Sequence, residues 1–173
     1  MRWLAGLMSP AARETLALRL FSFARIPLLS YVRPAVADIG PERMVVVIRL
    51  SRRTRNHLGS MYFAALCAGA DCVVGGYAMH FIRAQKRHIS MVFKDFQADF
   101  QRRAEGDVHF ICEQGRDIAQ LVGLAAASDE RVERTFDVLA IAPAQGGECV
   151  ATFKLTLSLK HLDQATRLRA SPR

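Results

Sequence analysis

The chain has 173 residues, 51% of them hydrophobic and 23% charged, which suits one domain with a sizeable core and excludes a mostly disordered, collagen-like or low-complexity polypeptide. Its formal charge of +8 keeps nucleic acid, anionic lipid and phosphorylated ligands in view. The 24 basic residues are scattered, with one compact cluster at Arg52, Arg53 and Arg55; that spread is a bias toward Arg rather than a nucleic-acid footprint, so no nucleic-acid partner is expected.

Residues 1–30 are apolar but interrupted by Arg2, Arg13, Arg19 and Arg25, which the apolar core of a signal peptide does not tolerate. They read as an amphipathic helix that docks on the domain through Leu16, Leu18, Leu20, Phe21, Phe23 and Ile26. A membrane-surface role, with the arginines toward anionic lipid, is the second reading of the same helix. Residues 32–39 and 43–50 read as strands, the second carrying Val45, Val46, Val47 and Ile48, with Gly40 and Pro41 as the turn. Residues 59–81 are long and apolar enough to span a bilayer, with Asp71 as their single formal charge. Their place between alternating strand patterns predicts instead a helix at the centre of a globular domain, ending near 80–87.

In 88–100, Ile89, Met91 and Phe93 share one face, but the next apolar set is Phe96, Ala98 and Phe100. One extra residue near Lys94 and Asp95 restores the phase, which predicts a β-bulge or bend there. Residues 107–113 form the next strand after a turn at 104–106, and 115–127 show helical spacing at Ile118, Leu121, Val122 and Ala125. Residues 132–141 and 149–159 form a hairpin across Gly146 and Gly147. In its second strand Ala151, Phe153, Leu155, Leu157 and Leu159 face the core, while Thr152, Lys154, Thr156, Ser158 and Lys160 face water. The four cysteines, Cys67, Cys72, Cys112 and Cys149, show neither a CxxC pair nor zinc-ligand spacing. A reduced cytoplasm and no metal are expected, with Cys67 and Cys72 as small buried thiols.

This order of elements makes an α+β domain in which a curled antiparallel sheet of about six strands wraps a helix that is apolar on most sides. The division expected is an N-terminal helix at 1–30, one domain at 31–162 and a polar tail at 163–173. Asn56, Gly59 and Asp71 keep the spacing of an Asn, a Gly three residues on, a His-Gly-Gly and an acid nine residues after the His, with Tyr62, Phe63 and Ala64 standing at the His-Gly-Gly. In this the chain resembles the hotdog-fold acyl-CoA thioesterases, especially the phenylacetate-pathway branch and its uncharacterised relatives, over roughly 30–160. The resemblance implies the hotdog fold and thioester hydrolysis.

Asp71 is the lone carboxylate of an apolar stretch of about twenty residues, where an unpaired charge is costly. The resemblance implies a general base or nucleophile; a structural Asp paired with an Arg, or an exposed one, are its other readings. The backbone N–H of Phe63, at the start of the helix, is the candidate oxyanion donor. Phe63 or Ala64 in place of Gly narrows the approach to that amide, and Phe63 also reads as a plain core aromatic. Asn56 holds a water or the substrate carbonyl by resemblance, or is a turn residue by its own chemistry. Tyr62 donates a hydrogen bond or packs, and His57 reads as a surface loop residue. Gly59 and Ala64 are assigned to the substrate-binding surface, and Arg53, Arg55, Arg102 and Arg103 to the phosphates of coenzyme A or to solvated loops.

Phe63 and Asp71 stand eight residues apart, about 12 Å along a helix, too far to touch one carbonyl. A second chain must therefore complete the site, so a homodimer or dimer of dimers is expected. The ligand is an acyl-CoA-like small molecule, with coenzyme A as part of the substrate and no separate cofactor. A hotdog module that binds an acyl or CoA-like ligand without cleaving it is the alternative function.

Overall fold

The structure, a computed structural model, describes residues 8–85 and 88–162. The expected start of the N-terminal helix at 1–7, Lys86 and Arg87, and the polar tail at 163–173 lie outside the described residues.

Helix α1, Pro10–Arg25, starts where Ser9 accepts a hydrogen bond from the amide of Ala12 and proline fills the first helical position. Pro27 cannot continue it, and a second short helix, α2 (Pro27–Val32), follows. The expected single helix over 1–30 is therefore two helices. Arg33, with φ of 58°, caps α2 in the left-handed region, so β1 is Ala35–Ile39 rather than 32–39.

The remaining elements are β2 (Met44–Ile48), α3 (Phe63–Ala84), β3 (Ile89–Phe100), β4 (Val108–Cys112), α4 (Gly115–Ala127), β5 (Val132–Ala142) and β6 (Glu148–His161). The six strands form one antiparallel sheet in the order β1-β2-β4-β5-β6-β3. Its register shifts between Phe93 and Asp95, the bulge that the broken alternation requires. Gly146 and Gly147, both with φ of 75°, turn the β5–β6 hairpin where an L side chain would be strained.

Helix α3 packs on the concave side of the sheet and is the centre of the core. Gly69 permits its close approach to β4, since a Cβ there would stand 2.2 Å from the Phe110 ring. By length and composition α3 could cross a membrane, but 67% of its most apolar window is buried inside the domain.

One strand face differs from expectation. Thr156 and Ser158 were assigned to water, yet both are buried. Thr156 donates to Asp95 at 2.7 Å and pairs with Thr135, while Ser158 donates to Glu133 at 2.9 Å and accepts from Arg131. Because β6 lies between β5 and β3, polar side chains on both neighbours reach over it and satisfy its hydroxyls.

Helix α1 lies against the outer edge of the sheet. The Val36 amide donates to Thr15 Oγ1 at 2.8 Å, and that hydroxyl donates back to the Val36 carbonyl at 3.2 Å, which occupies polar groups of the edge strand β1. Glu14 accepts from His80 at 3.0 Å and pairs with Arg83, tying α1 to the last turns of α3. The docking expected for this helix needs correction. Leu18 packs on the core, but Leu16, Leu20 and Phe23 are 49%, 62% and 78% exposed, and Phe21 and Ile26 are also exposed. Arginines break the apolar pattern of the segment, and its apolar residues are too many for one face, so Leu16 and Phe23 point away from the body.

Candidate functional site

Six of the residues singled out from the sequence, Asn56, Tyr62, Phe63, Arg102, Arg103 and Asp71, line two cavities at different heights along α3. The first, about 500 Å³, is lined by Asn56, Tyr62, Phe63, Arg102 and Arg103, together with His57. The second, about 480 Å³, contains Asp71 and lies under α1, with Leu18, Phe21, Met79, Met91 and Phe93 in its wall.

At the first cavity the chain turns sharply before α3 begins. The Asn56 Oδ1 accepts from the Leu58 amide at 2.9 Å and from the Ser60 hydroxyl, its Nδ2 donates to Ser60 Oγ at 3.0 Å, and its own amide donates to the Ser60 carbonyl. This self-contained loop requires Gly59, whose φ is 84°, and leaves 59–62 of the apolar stretch outside the helix, which starts at Phe63 as the oxyanion assignment expects. Asn56 thus has the bonding of a turn residue, with one amide proton left over for a ligand.

Tyr62 caps α3 without a side-chain hydrogen bond, and its carbonyl takes the amides of Ala65 and Leu66. The amides of Phe63 and Ala64 find no acceptor among the described residues, the usual condition of the first helical positions. Both lie at the positive end of the helix dipole, and Phe63 lines the cavity. The Phe63 ring is exposed and meets Tyr62 edge-on at 4.8 Å and Phe100 at 6.2 Å. It is therefore not the core aromatic of the plainer reading.

The four candidate arginines do not act alike. Arg102 and Arg103 reach the first cavity, paired with Glu148 at 2.7 Å and with Glu105 at 3.8 Å. Arg53 instead lies over the Tyr31 ring, 5.4 Å from its centroid, and Arg55 bridges to Met61 beside the turn; neither lines that cavity, and nor do Gly59 and Ala64.

At the second cavity Asp71 is half-buried, with its Oδ1 over Gly75 and near Met91 and Phe93. A Cβ on Gly75 would stand 3.5 Å from that oxygen. Among the described residues it has no hydrogen-bond or ion-pair partner. Arg83 lines the same cavity but is engaged with Glu14, so the structural reading of Asp71 as an Arg-paired acid does not hold there. Desolvation pushes its pKa up to about 6. The neighbouring thiols are no competing nucleophiles, since burial raises both Cys67 and Cys72.

Sequence reasoning missed the roof of this cavity. Glu14, Leu18 and Phe21 of α1 and Leu29 of α2 all line it, although the N-terminal segment carries no motif that links it to Asp71. His57 is exposed in the loop before α3, as expected, and also lines the first cavity.

Comparison with known proteins bears on the fold. The profile of a family described as a domain of unknown function (DUF4442) matches residues 15–159. A Pseudomonas aeruginosa protein of unknown function, PA5026, described as a probable thioesterase, superposes with a TM-score of 0.69 at 22% identity, over 86% of this chain and 96% of its own. The Haemophilus influenzae thioesterase HI1161 superposes with a TM-score of 0.62 at 13% identity, over 84% and 91%. A mutant of the P. aeruginosa thioesterase PA1618 gives 0.63 at 13% identity, over 84% and 93%. Among curated proteins none matches the sequence. The curled six-stranded sheet around a long helix is the hotdog fold of these thioesterases.

Proposed function

Given that the chain belongs to the DUF4442 family, we propose that it hydrolyses acyl-CoA-type thioesters, with Asp71 as the base and two copies of the chain forming each site. The observation that carries this reading is Asp71 itself, an unpaired carboxylate in a roofed apolar cavity with a pKa of about 6. A base with that pKa is ionised at neutral pH and still holds a proton well enough to pass it on.

The acyl group occupies the cavity between α1, α3 and β3, and its carbonyl lies next to the Asp71 carboxylate. Asp71 takes a proton from a water molecule as the water oxygen bonds to the carbonyl carbon. The C–S bond then breaks, and the leaving sulfur recovers the proton from Asp71, giving an acid and a free thiol. The negative charge on the carbonyl oxygen needs preorganised donors. The free amides of Phe63 and Ala64 suit that role but stand about 12 Å away along the same helix, so they come from a second copy. β3 supports such a pairing. It ends the sheet, runs for 12 residues and exposes Val92, Phe96 and Phe100, an edge that self-pairing would cover. Arg102 and Arg103 at the first cavity then face the phosphates of coenzyme A, and the four free thiols suit a reducing cytoplasm.

The Tyr62 and Phe63 rings crowd the approach to the helix amides, which favours a second reading, binding without cleavage. Thiol release from a panel of acyl-CoAs separates the two. Hydrolysis by the wild type that is lost in Asp71→Asn supports the base. Hydrolysis that survives the substitution removes Asp71 from the chemistry, and saturable binding with no turnover of any acyl-CoA leaves the binding module.

A further inference from the structure

Apart from Leu20, the stripe of large apolar side chains on the outward face of α1 and α2 lines neither cavity described above, yet it is exposed. Leu16, Leu20 and Phe23 recur at helical spacing and form one stripe, all exposed, with Leu28 and Tyr31 of α2 beside it. Arg13 and Arg19 lie on the two flanks of that stripe by the same 100° periodicity, and both are exposed, as are Arg25 and Arg33. The single acid between residues 8 and 37 is Glu14, which is turned inward to His80 and Arg83 with its side chain 17% exposed.

From this arrangement we propose that the α1–α2 face docks on anionic membrane surfaces, with the apolar stripe in the acyl boundary and the arginines at lipid headgroups. An apolar band with cations on both flanks is what the interfacial region of a bilayer stabilises, and each Arg near the surface adds to the attraction of anionic lipid. A second copy of the chain is the poorer occupant. Isologous pairing of this face would bring Arg13, Arg19 and their counterparts together, with Glu14 turned inward and no other acid in α1 or α2 to neutralise them. Leu20 belongs both to the stripe and to the wall of the Asp71 cavity, so the docked face borders that cavity. The proposal does not depend on thioester hydrolysis, and its test reads binding alone.

The full-length protein is floated with vesicles of phosphatidylcholine, pure or mixed with phosphatidylglycerol, at low and high salt. Flotation with the anionic vesicles only, weakened by salt, is expected. Arg13→Gln combined with Arg19→Gln should lower vesicle affinity about 30-fold, at about 1 kcal/mol for each arginine, and Phe23→Glu should lower it at least as far. Thermal melting checks the fold of both variants, and the salt and lipid dependence of the wild type decides the matter if either fails to fold. Absence of flotation with anionic vesicles overturns the proposal, as does equal flotation with both compositions. A Phe23→Glu variant that binds vesicles normally but sediments at a lower mass than wild type also overturns it, in favour of self-association through this face.

Discussion

At Tyr62 and Phe63, α3 begins beside a cavity that Arg102 and Arg103 also line; two turns further on, at Asp71, the same helix faces an apolar cavity roofed by α1. The first end stabilises negative charge through the helix dipole and free amides. The second destabilises it through desolvation, which is why Asp71 holds its proton up to about pH 6. Hydrolysis of a thioester needs both environments at one carbonyl, and a straight helix keeps them apart. The contrast teaches that one helix offers two opposed electrostatic environments, and under the proposed hydrolysis a second copy of the chain is what brings them to one carbonyl.

The most direct way to break this comparison is to remove the base. Asp71→Asn should lower kcat for thiol release about 10³-fold, with wild-type kcat/KM rising as pH passes through about 6, where Asp71 of the free protein ionises. A pH-independent rate between 5 and 7 would detach the chemistry from Asp71. At the other end Phe63→Pro removes one amide hydrogen at the first helical position, where proline is tolerated and the preceding Tyr62 is already extended, with ψ of 138°. A loss of about 10²-fold in kcat is expected, with helix content by circular dichroism unchanged. Phe63→Ala, which keeps the amide, should retain activity.

Stability supplies a third test, because the dry end carries a cost. The Asp71 pKa is raised from 3.8 to about 6, so below pH 3.8 both folded and unfolded chains hold the proton and the residue costs nothing. Between pH 3.8 and about 6 only the unfolded chain releases the proton, so the folded state loses stability across that interval and the loss is complete once pH has passed through 6. Asp71→Asn should therefore be more stable than wild type at pH 8 by about 1–3 kcal/mol in urea titration, with the difference vanishing toward pH 4. The smallest effect is expected at the roof. Glu14→Gln weakens the tie to His80 and Arg83, and after solvent screening should cost about 0.5–1 kcal/mol, with faster amide exchange in α1 while β5 and β6 keep their protection.

Much of this frame was legible in the residues. The phase slip after Phe93 located the bulge because strand periodicity allows no other way to keep Phe96 and Ala98 on the core side. The paired glycines located the hairpin, and 115–127 matched α4 to the residue. Asp71 stood out because a charge amid so many apolar neighbours needs a reason. The turn alternative for Asn56 was legible too, since Asn and Gly in that spacing favour tight loops. The covering of Thr156 and Ser158 was not, because it depends on which strands flank β6.

Local chemistry therefore determined the elements, their punctuation and the isolation of one acid, since periodicity, turn residues and charge are properties of neighbours along the chain. The strand order, the roof that α1 and α2 place over Asp71, and the placement of the candidate arginines were decided only in three dimensions. Those features arise from contacts between segments as distant as Glu14 and Arg83. Desolvation, which sets the proton affinity of Asp71, is a property of the enclosing walls and not of the acid.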